Sequence, residues 1–171
     1  ASYRRQRQMC IRDRPSGVIN VPQLPFGQQC TKIGICDGKY NPKTKNESGI
    51  FATKKLITGD KIMVCPGEYM SVTEYKSTGQ KYLSYSVKFQ PENAPEFVVR
   101  AERGQYLFTL INSGYRLKKK SIFNTEFVVE YTHGFPLLWV EVISDIKPKQ
   151  ELLIKYGRDY WSDPKHKKCL K

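Results

Sequence analysis

The sequence predicts a compact, mostly β domain, and three observations support this fold class. Short runs rich in Val, Ile, Tyr and Phe recur along the chain, Gly, Pro, Asn or Asp separate them, and helical periodicity is nearly absent. The chain has 171 residues, of which 39% are hydrophobic and 12% aromatic. That is enough apolar material for one hydrophobic core, and it excludes a wholly disordered chain.

The predicted elements begin with a loop-rich flank. Residues 15–48 contain several Pro, Gly and Asn residues, which indicates loops with one short strand. From Gly49 onward, β-prone runs occupy residues 51–52, 61–65, 82–89, 97–99, 127–131, 137–143 and 151–154. Two short helices are predicted, one near residues 105–110 and one within residues 69–75. The sequence shows no internal repeat.

The first fourteen residues are interpreted separately. Residues 9–14 read Met-Cys-Ile-Arg-Asp-Arg, which looks like the in-frame translation of a sequencing adapter. We therefore expect residues 1–14 to be non-native; the alternative is a natural arginine-rich arm that contacts phosphates. The whole chain has a net charge of +13, and it stays basic when this segment is left out. A basic chain favours acidic partners such as nucleic acid, although a solubilising surface would give the same sign.

The cysteines and the hydropathy exclude several classes of protein. The five cysteines are scattered, and no pair has the spacing of a zinc site, so we expect free thiols in a reducing compartment and no metal. No run approaches the roughly 18 apolar residues that span a bilayer. There is also no apolar secretory segment near the first residue. A membrane protein is excluded, and secretion is not expected.

Three segments, in order, resemble motifs of the SET-domain protein-lysine methyltransferases. The first has Ser-Gly-Ile-Phe-Ala at residues 48–52, Gly-Asp at 59–60 and Pro-Gly-Glu at 66–68. The second has Val-Arg-Ala at 99–101 and Leu-Ile-Asn at 110–112, and the third has Asp-Ile at 145–146, Glu-Leu-Leu-Ile-Lys-Tyr-Gly at 151–157 and Tyr-Trp at 160–161. Each motif alone is weak, but the ordered set is hard to obtain by chance.

The resemblance implies a fold and a division of the chain. It implies a SET-domain, β-clip-like fold of several small sheets, with a knot-like threading of the Asn112 segment by the C-terminal strand. We expect a SET domain over residues 46–161, a loop-rich flank over 15–45 and a basic tail over 162–171.

The resemblance also implies a reaction. Enzymes of this family transfer a methyl group from S-adenosylmethionine to a lysine amine through a narrow channel, so the protein must align the reacting atoms and exclude water. Tyr156 matches the catalytic tyrosine, whose hydroxyl helps to orient the amine. Without the resemblance, a buried strand tyrosine would be the ordinary interpretation of this residue.

The expected cofactor-binding residues come from the same motifs. Asn112 matches the family's cofactor-contacting asparagine, and Ser113 stands in the place of a histidine that acts largely through its main chain. An Asn-Ser-Gly turn after a helix explains these two residues equally well. The other expected cofactor-binding residues are Glu47, Ser48 and Gly49 in the loop around the methionine end of the cofactor, Phe97, and Trp161 as an aromatic lid for the adenine.

Several departures from the family pattern leave a second hypothesis open. Cys65 stands where a channel-lining tyrosine is usual, and Ile154 replaces an aromatic residue that tunes the number of methyl groups added. Arg100 replaces an aspartate, Thr109 an arginine, and Lys149-Gln150 a Gly-Glu pair. The alternative is therefore a catalytically inactive SET-like module that binds protein or chromatin.

The expected partners also follow from the resemblance and the charge. The favoured substrate is a histone tail or another basic nuclear protein, in the nucleus or otherwise in the cytoplasm. A basic tail needs nearby acidity, for which Glu68, Glu74, Glu126 and Glu130 are candidates. Two basic clusters could contact DNA non-specifically, although solvated loops are the commoner explanation; they are Arg116, Lys118, Lys119 and Lys120, and Lys165, Lys167, Lys168 and Lys171.

Overall fold

A computed structural model describes residues 19–22, 29–39, 44–78, 86–102, 104–114, 122–157 and 160. These residues form three small sheets around one main core. The element order is β1 (Ile19–Val21), β2 (Thr31–Ile35), β3 (Ser48–Ala52), β4 (Lys61–Val64), β5 (Gly67–Ser71), α1 (Val72–Ser77), β6 (Val87–Phe89), β7 (Phe97–Arg100), a 3₁₀ helix (Leu107–Leu110), β8 (Asn112–Ser113), β9 (Thr125–Thr132), β10 (Phe135–Val142) and β11 (Leu153–Ile154).

The first sheet has four strands in the order β1-β5-β7-β6, and all neighbours in it are antiparallel. Helix α1 follows β5 directly because the Ser71 hydroxyl caps it by accepting a hydrogen bond from the Glu74 N–H at 3.1 Å. Three aromatic rings pack beside this sheet: the ring centroids of Tyr69 and Phe89 are 6.0 Å apart, and those of Phe89 and Phe97 are 5.9 Å apart.

The second sheet has five strands in the order β4-β10-β9-β11-β8. Its centre is the long β9–β10 hairpin, whose turn places His133 at φ 49° and Gly134 at φ 80°. Strand β10 alternates half-buried and buried residues along its whole length, as expected for a strand with one face on the core. Strand β11 is parallel to both β8 and β9 and lies between them.

The third sheet is the antiparallel pair β2–β3, and the segment before β11 joins it to the rest of the domain. The Leu152 N–H donates to the Ile50 carbonyl at 2.8 Å, and the Ala52 N–H donates to the Gln150 carbonyl at 3.0 Å. Residues 150–154, which we call the closing segment, therefore contact β3 first and then β8 and β9. This segment connects two of the three sheets.

Two loops, residues 52–60 and 142–150, pair with each other as a two-fold related couple. Leu56 and Ile146 exchange N–H to carbonyl hydrogen bonds of 3.0 and 2.9 Å. Each loop also has a side-chain oxygen near its end that accepts a hydrogen bond from a main-chain N–H. In the first loop the Ile57 N–H donates to the Asp60 side chain at 2.9 Å, and in the second the Lys147 N–H donates to the Gln150 side chain at 3.0 Å.

The backbone of the two loops matches as well. Gly59 has φ 92° and Lys149 has φ 68°, so both loops turn through the left-handed region at the same position. The sequence shows no repeat at these loops because the equivalent residues differ in type while their hydrogen bonds are the same. The similarity of the two loops is therefore visible only in the structure.

The structure confirms the mostly β fold class and most of the predicted strands. The loop-rich flank contributes two strands rather than one, because β1 pairs with β5 and β2 pairs with β3. The helix predicted within residues 69–75 is present, but it begins at Val72, after β5 ends at Ser71, and it continues beyond the predicted range to Ser77. The knot-like threading stays a prediction. No helix among the described residues is long and apolar enough to cross a membrane.

Candidate active site

Tyr156 follows the closing segment and reaches back to the segment that carries Asn112. Its hydroxyl donates to the Ile111 carbonyl at 2.7 Å, and its ring lies edge-on to Tyr160 with centroids 4.5 Å apart. Ile111 immediately precedes β8, so this hydrogen bond connects the ends of the second and third sequence motifs. The ring of Tyr156 is half-buried, which leaves it in contact with both the core and the surface.

Asn112 is the centre of a polar cluster beneath the strand β3. The two N–H groups of its side-chain nitrogen Nδ2 are shared among three acceptors, which are Glu151 Oε1 at 3.1 Å, the Ser48 carbonyl at 3.2 Å and Cys36 Sγ at 3.2 Å. Because an amide oxygen would be repelled by the carboxylate and the carbonyl, these neighbours fix the orientation of the amide. The side-chain oxygen of this amide, Oδ1, has no donor among the described residues, so it is available to a ligand.

Gly49 makes this cluster possible because it has no side chain. A Cβ atom built at Gly49 would lie 2.6 Å from Cys36 Sγ and 2.9 Å from Glu151 Oε1, closer than such atoms approach. The neighbouring Ser48 supplies its carbonyl to Asn112. Glu47 is exposed and pairs through its main chain, its carbonyl accepting the Cys36 N–H at 2.9 Å.

The Cys36 thiol is buried at 2% exposure and donates to Glu151 Oε1 at 3.1 Å. Burial raises the pKa of this thiol to about 12, and the adjacent Glu151 carboxylate adds to the shift. The thiol therefore stays protonated through the whole physiological range. It is a permanent hydrogen-bond donor to Glu151 and a poor nucleophile.

The structure brings Glu47, Ser48, Gly49, Asn112 and Ser113 to one corner of the domain. Residues 112 and 113 form a strand paired with β11, so the interpretation of this motif as a simple turn is wrong. Strand β8 is also the edge of its sheet, and among the described residues no strand pairs with its other side.

The remaining predicted site residues lie outside this corner or outside the described residues. Phe97 lies in the first sheet, where its ring stacks on Phe89. The structure does not join it to the Asn112 cluster, and its cofactor role stays a prediction. Trp161 and both basic clusters lie outside the described residues.

Cys65, at the position of the usual channel tyrosine, is completely buried, and burial raises the pKa of its thiol. Close to Cys65, the hydroxyl of Tyr69 bridges two main-chain groups. It donates to the Cys65 carbonyl at 2.7 Å and accepts from the Leu138 N–H at 3.1 Å. Tyr69 thus bridges β4 and β10 where their direct pairing is interrupted. Burial raises the pKa of this hydroxyl.

Two of the acidic residues expected near a basic substrate already have cationic partners. Glu68 pairs across β5 and β7 with Arg100, and Glu130 pairs with Lys61 at 2.9 Å. The unusual Arg100 therefore balances a neighbouring carboxylate. Within the described ranges there is no group of three or more His, Cys, Asp or Glu that could hold a metal ion.

Three residues of the site were missed by the sequence reasoning. Cys36 was interpreted only as a free thiol, and Glu151 only as part of a motif. Asn124, which is 2% exposed, fastens the closing segment by donating to the Glu151 carbonyl at 2.8 Å and accepting from the Leu153 N–H at 2.7 Å. No local pattern marks Asn124, because its partners lie far along the chain.

Comparisons with known proteins concern the family and the fold of the chain. The SET domain family matches residues 47–157, and no curated protein matches the chain. Among solved structures, the fold resembles a chain of "ctPRC2 in an autoinhibited conformation bound to S-adenosylmethionine", with a TM-score of 0.54 and 20% sequence identity. The likeness covers 75% of this chain and 15% of that chain, so this chain spans a small part of that protein's length. Three ordered motifs, the sheets that join them and the family match over most of the domain lead to one conclusion: the chain belongs to the SET-domain family.

Proposed function

We propose that this chain transfers a methyl group from S-adenosylmethionine to a lysine side chain of a protein. The observation that carries the proposal is the hydrogen bond from the Tyr156 hydroxyl to the Ile111 carbonyl at 2.7 Å. It sets the residue expected to be catalytic beside Asn112, the residue expected to contact the cofactor. The two are far apart in sequence, so only the fold brings them together.

The residues around Asn112 fit the proposed cofactor. Its amide nitrogen is turned inward by three acceptors, which leaves the carbonyl oxygen to accept from the cofactor's ammonium group. Gly49 keeps the main chain of β3 close to this amide. S-adenosylmethionine, when bound, would supply a methyl group on a sulfonium, which is already a good leaving group.

Tyr156 would orient the lysine amine. Its ring is half-buried and wedged against Tyr160, which restricts the rotation of the phenol. The hydrogen bond from its hydroxyl to the Ile111 carbonyl can be shared with an incoming amine or replaced by a hydrogen bond to that amine. In either case the hydroxyl would favour the transition state electrostatically. The buried closing segment on one side of this tyrosine helps to exclude water from the reacting groups.

The proposed substrate is a histone tail or another basic nuclear protein, and the proposed location is the nucleus. The net positive charge of the chain comes from segments outside the described residues, including the clusters of Arg116, Lys118, Lys119 and Lys120 and of Lys165, Lys167, Lys168 and Lys171. These clusters would contact DNA through its phosphates, with affinity that falls as salt increases.

The test begins with calorimetric titration of S-adenosylmethionine into the whole chain, beside a Trp161→Ala variant. Saturable binding that the variant weakens is expected from the lid role of Trp161. Radiolabelled cofactor is then supplied with mixed histones, using Tyr156→Phe as the matched variant. We expect Tyr156→Phe to bind the cofactor normally while methyl transfer falls by about 100-fold or more, the range seen for loss of one preorganised donor.

A second candidate function is a non-catalytic module that binds protein or chromatin. The observation that favours it is Cys65, a buried thiol where a channel hydroxyl is expected. A folded wild-type chain that binds histone peptides without binding S-adenosylmethionine would favour this candidate and refute methyl transfer.

A further inference from the structure

Cys36 lies outside the SET-family match, in the flank that precedes it, yet it touches the centre of the site. Its main chain extends the β2–β3 ladder, because the Cys36 N–H donates to the Glu47 carbonyl and the Asn46 N–H donates to the Cys36 carbonyl, both at 2.9 Å. Its side chain points to the other side of that connection and contacts Asn112 and Glu151. We call the region formed by residues 47–49, 112–113 and 151 the cofactor corner. Cys36, a residue of the flank, therefore contacts all three of these segments.

The three side chains form a closed arrangement of donors and acceptors. The thiol donates to Glu151 Oε1 at 3.1 Å, and Asn112 Nδ2 donates to the same oxygen at 3.1 Å and to the sulfur at 3.2 Å. The three side chains approach one another because Gly49 has no Cβ to occupy the space beside them. Removing the sulfur would leave the carboxylate with one donor fewer, and it would leave the two N–H groups of the amide with the Ser48 carbonyl and Glu151 Oε1 as their acceptors, without the thiol that holds this oxygen.

We infer that Cys36 is a positioning residue for Asn112: its thiol holds the amide nitrogen inward and so leaves the amide oxygen for the cofactor. The assignment deepens the proposed function and rests on it for the identity of the ligand. It also means that the cofactor corner is incomplete without residues 29–39 of the flank. The thiol suits this role because it remains protonated and chemically quiet.

Three variants separate positioning from a general structural effect. Cys36→Ala removes the hydrogen bonds, Cys36→Ser retains a donor and an acceptor at the same place, and Cys30→Ala removes a second buried thiol that contacts neither Asn112 nor Glu151. Because Cys30 is 5% exposed and packs in the core, its truncation removes a similar volume from the interior.

The first readout is the side-chain amide resonances of Asn112, assigned by their loss in Asn112→Ser and followed by hydrogen exchange. We expect slow exchange in the wild type and in Cys36→Ser and Cys30→Ala, and faster exchange with changed shifts in Cys36→Ala. The second readout is the Kd for S-adenosylmethionine, which we expect to rise about tenfold in Cys36→Ala and less than about threefold in the other two variants.

Equal effects of Cys36→Ala and Cys30→Ala on both readouts would overturn the positioning role, as would unchanged Asn112 resonances in Cys36→Ala. Failure of the wild-type chain to bind S-adenosylmethionine would refute the proposed function instead. In that case the amide resonances still support or overturn the positioning of Asn112, since they are measured without cofactor.

Discussion

Asn124 fastens the closing segment, and its replacement by alanine should be among the most damaging single changes in the domain. The side chain satisfies two main-chain groups at once, the Glu151 carbonyl at 2.8 Å and the Leu153 N–H at 2.7 Å. Each buried group left without a partner costs about 1–3 kcal/mol. We therefore expect Asn124→Ala to lower the free energy of unfolding by about 2–6 kcal/mol, a large part of a typical domain's stability.

Urea unfolding followed by tryptophan fluorescence would measure this change, and the chain supplies two matched controls. Thr125→Val removes a hydroxyl that donates to the Leu153 carbonyl at 3.1 Å, but that carbonyl keeps the Asn124 N–H at 3.0 Å, so we expect a loss of about 1 kcal/mol or less. Asn20→Ala changes an exposed strand residue, and we expect about 0.5 kcal/mol at most. If Asn124→Ala costs no more than Thr125→Val, the reasoning from unsatisfied buried groups is wrong.

Three further predictions concern backbone strain, a buried hydroxyl and alkaline pH. Lys149→Gly should stabilise the chain by about 0.5–1 kcal/mol in the same assay because it relieves a left-handed φ of 68°, whereas Lys147→Gly should destabilise it. Tyr69→Phe should cost about 1–3 kcal/mol because the Leu138 N–H loses its partner; a smaller loss would mean that direct pairing re-forms. The Cys36 thiol has a pKa of about 12 in the folded chain against 9.0 ordinarily, so its contribution is complete below about pH 9 and is lost as pH rises toward 12. Between about pH 8 and about pH 10 the free energy of unfolding should therefore fall less in Cys36→Ser than in wild type, by about 1.4 kcal/mol in total; equal falls would contradict the shift.

The β-rich architecture was predictable because its signals are local. Strand β10 was predicted over residues 137–143 because Leu, Trp, Val and Ile are concentrated there, and these residue types favour strands wherever they occur. The two-residue strand β8 was not predictable from its own sequence, since it exists only through its pairing with β11. Likewise, Tyr69 to Ser71 look helical locally but are held extended by their register with β7.

The site was predictable only where a family motif carried it. Tyr156 and Asn112 came from motifs, and the fold brings their segments together. Cys36 and Asn124 could not be found in this way, because each acts through partners remote in sequence and neither has a distinctive neighbour pattern. Buried polar networks of this kind are specified by three-dimensional packing and are recognised only once the fold is known.

The departures from the family pattern differ in what they imply for activity. Lys149-Gln150 preserves the loop that Gly-Glu would form, since Lys149 adopts the left-handed backbone and the Gln150 side chain accepts the Lys147 N–H as Asp60 accepts that of Ile57. Arg100 is balanced by Glu68.

Cys65 is different, because the nearby Tyr69 hydroxyl is occupied by two main-chain groups and cannot replace a channel hydroxyl while both bonds last. The frame of the domain is therefore intact, and the choice between enzyme and binding module depends on whether Tyr156 alone can orient the amine. The Tyr156→Phe variant tests that role directly. A Cys65→Tyr replacement would not test it, because Cys65 is completely buried and a tyrosine there would overpack the core.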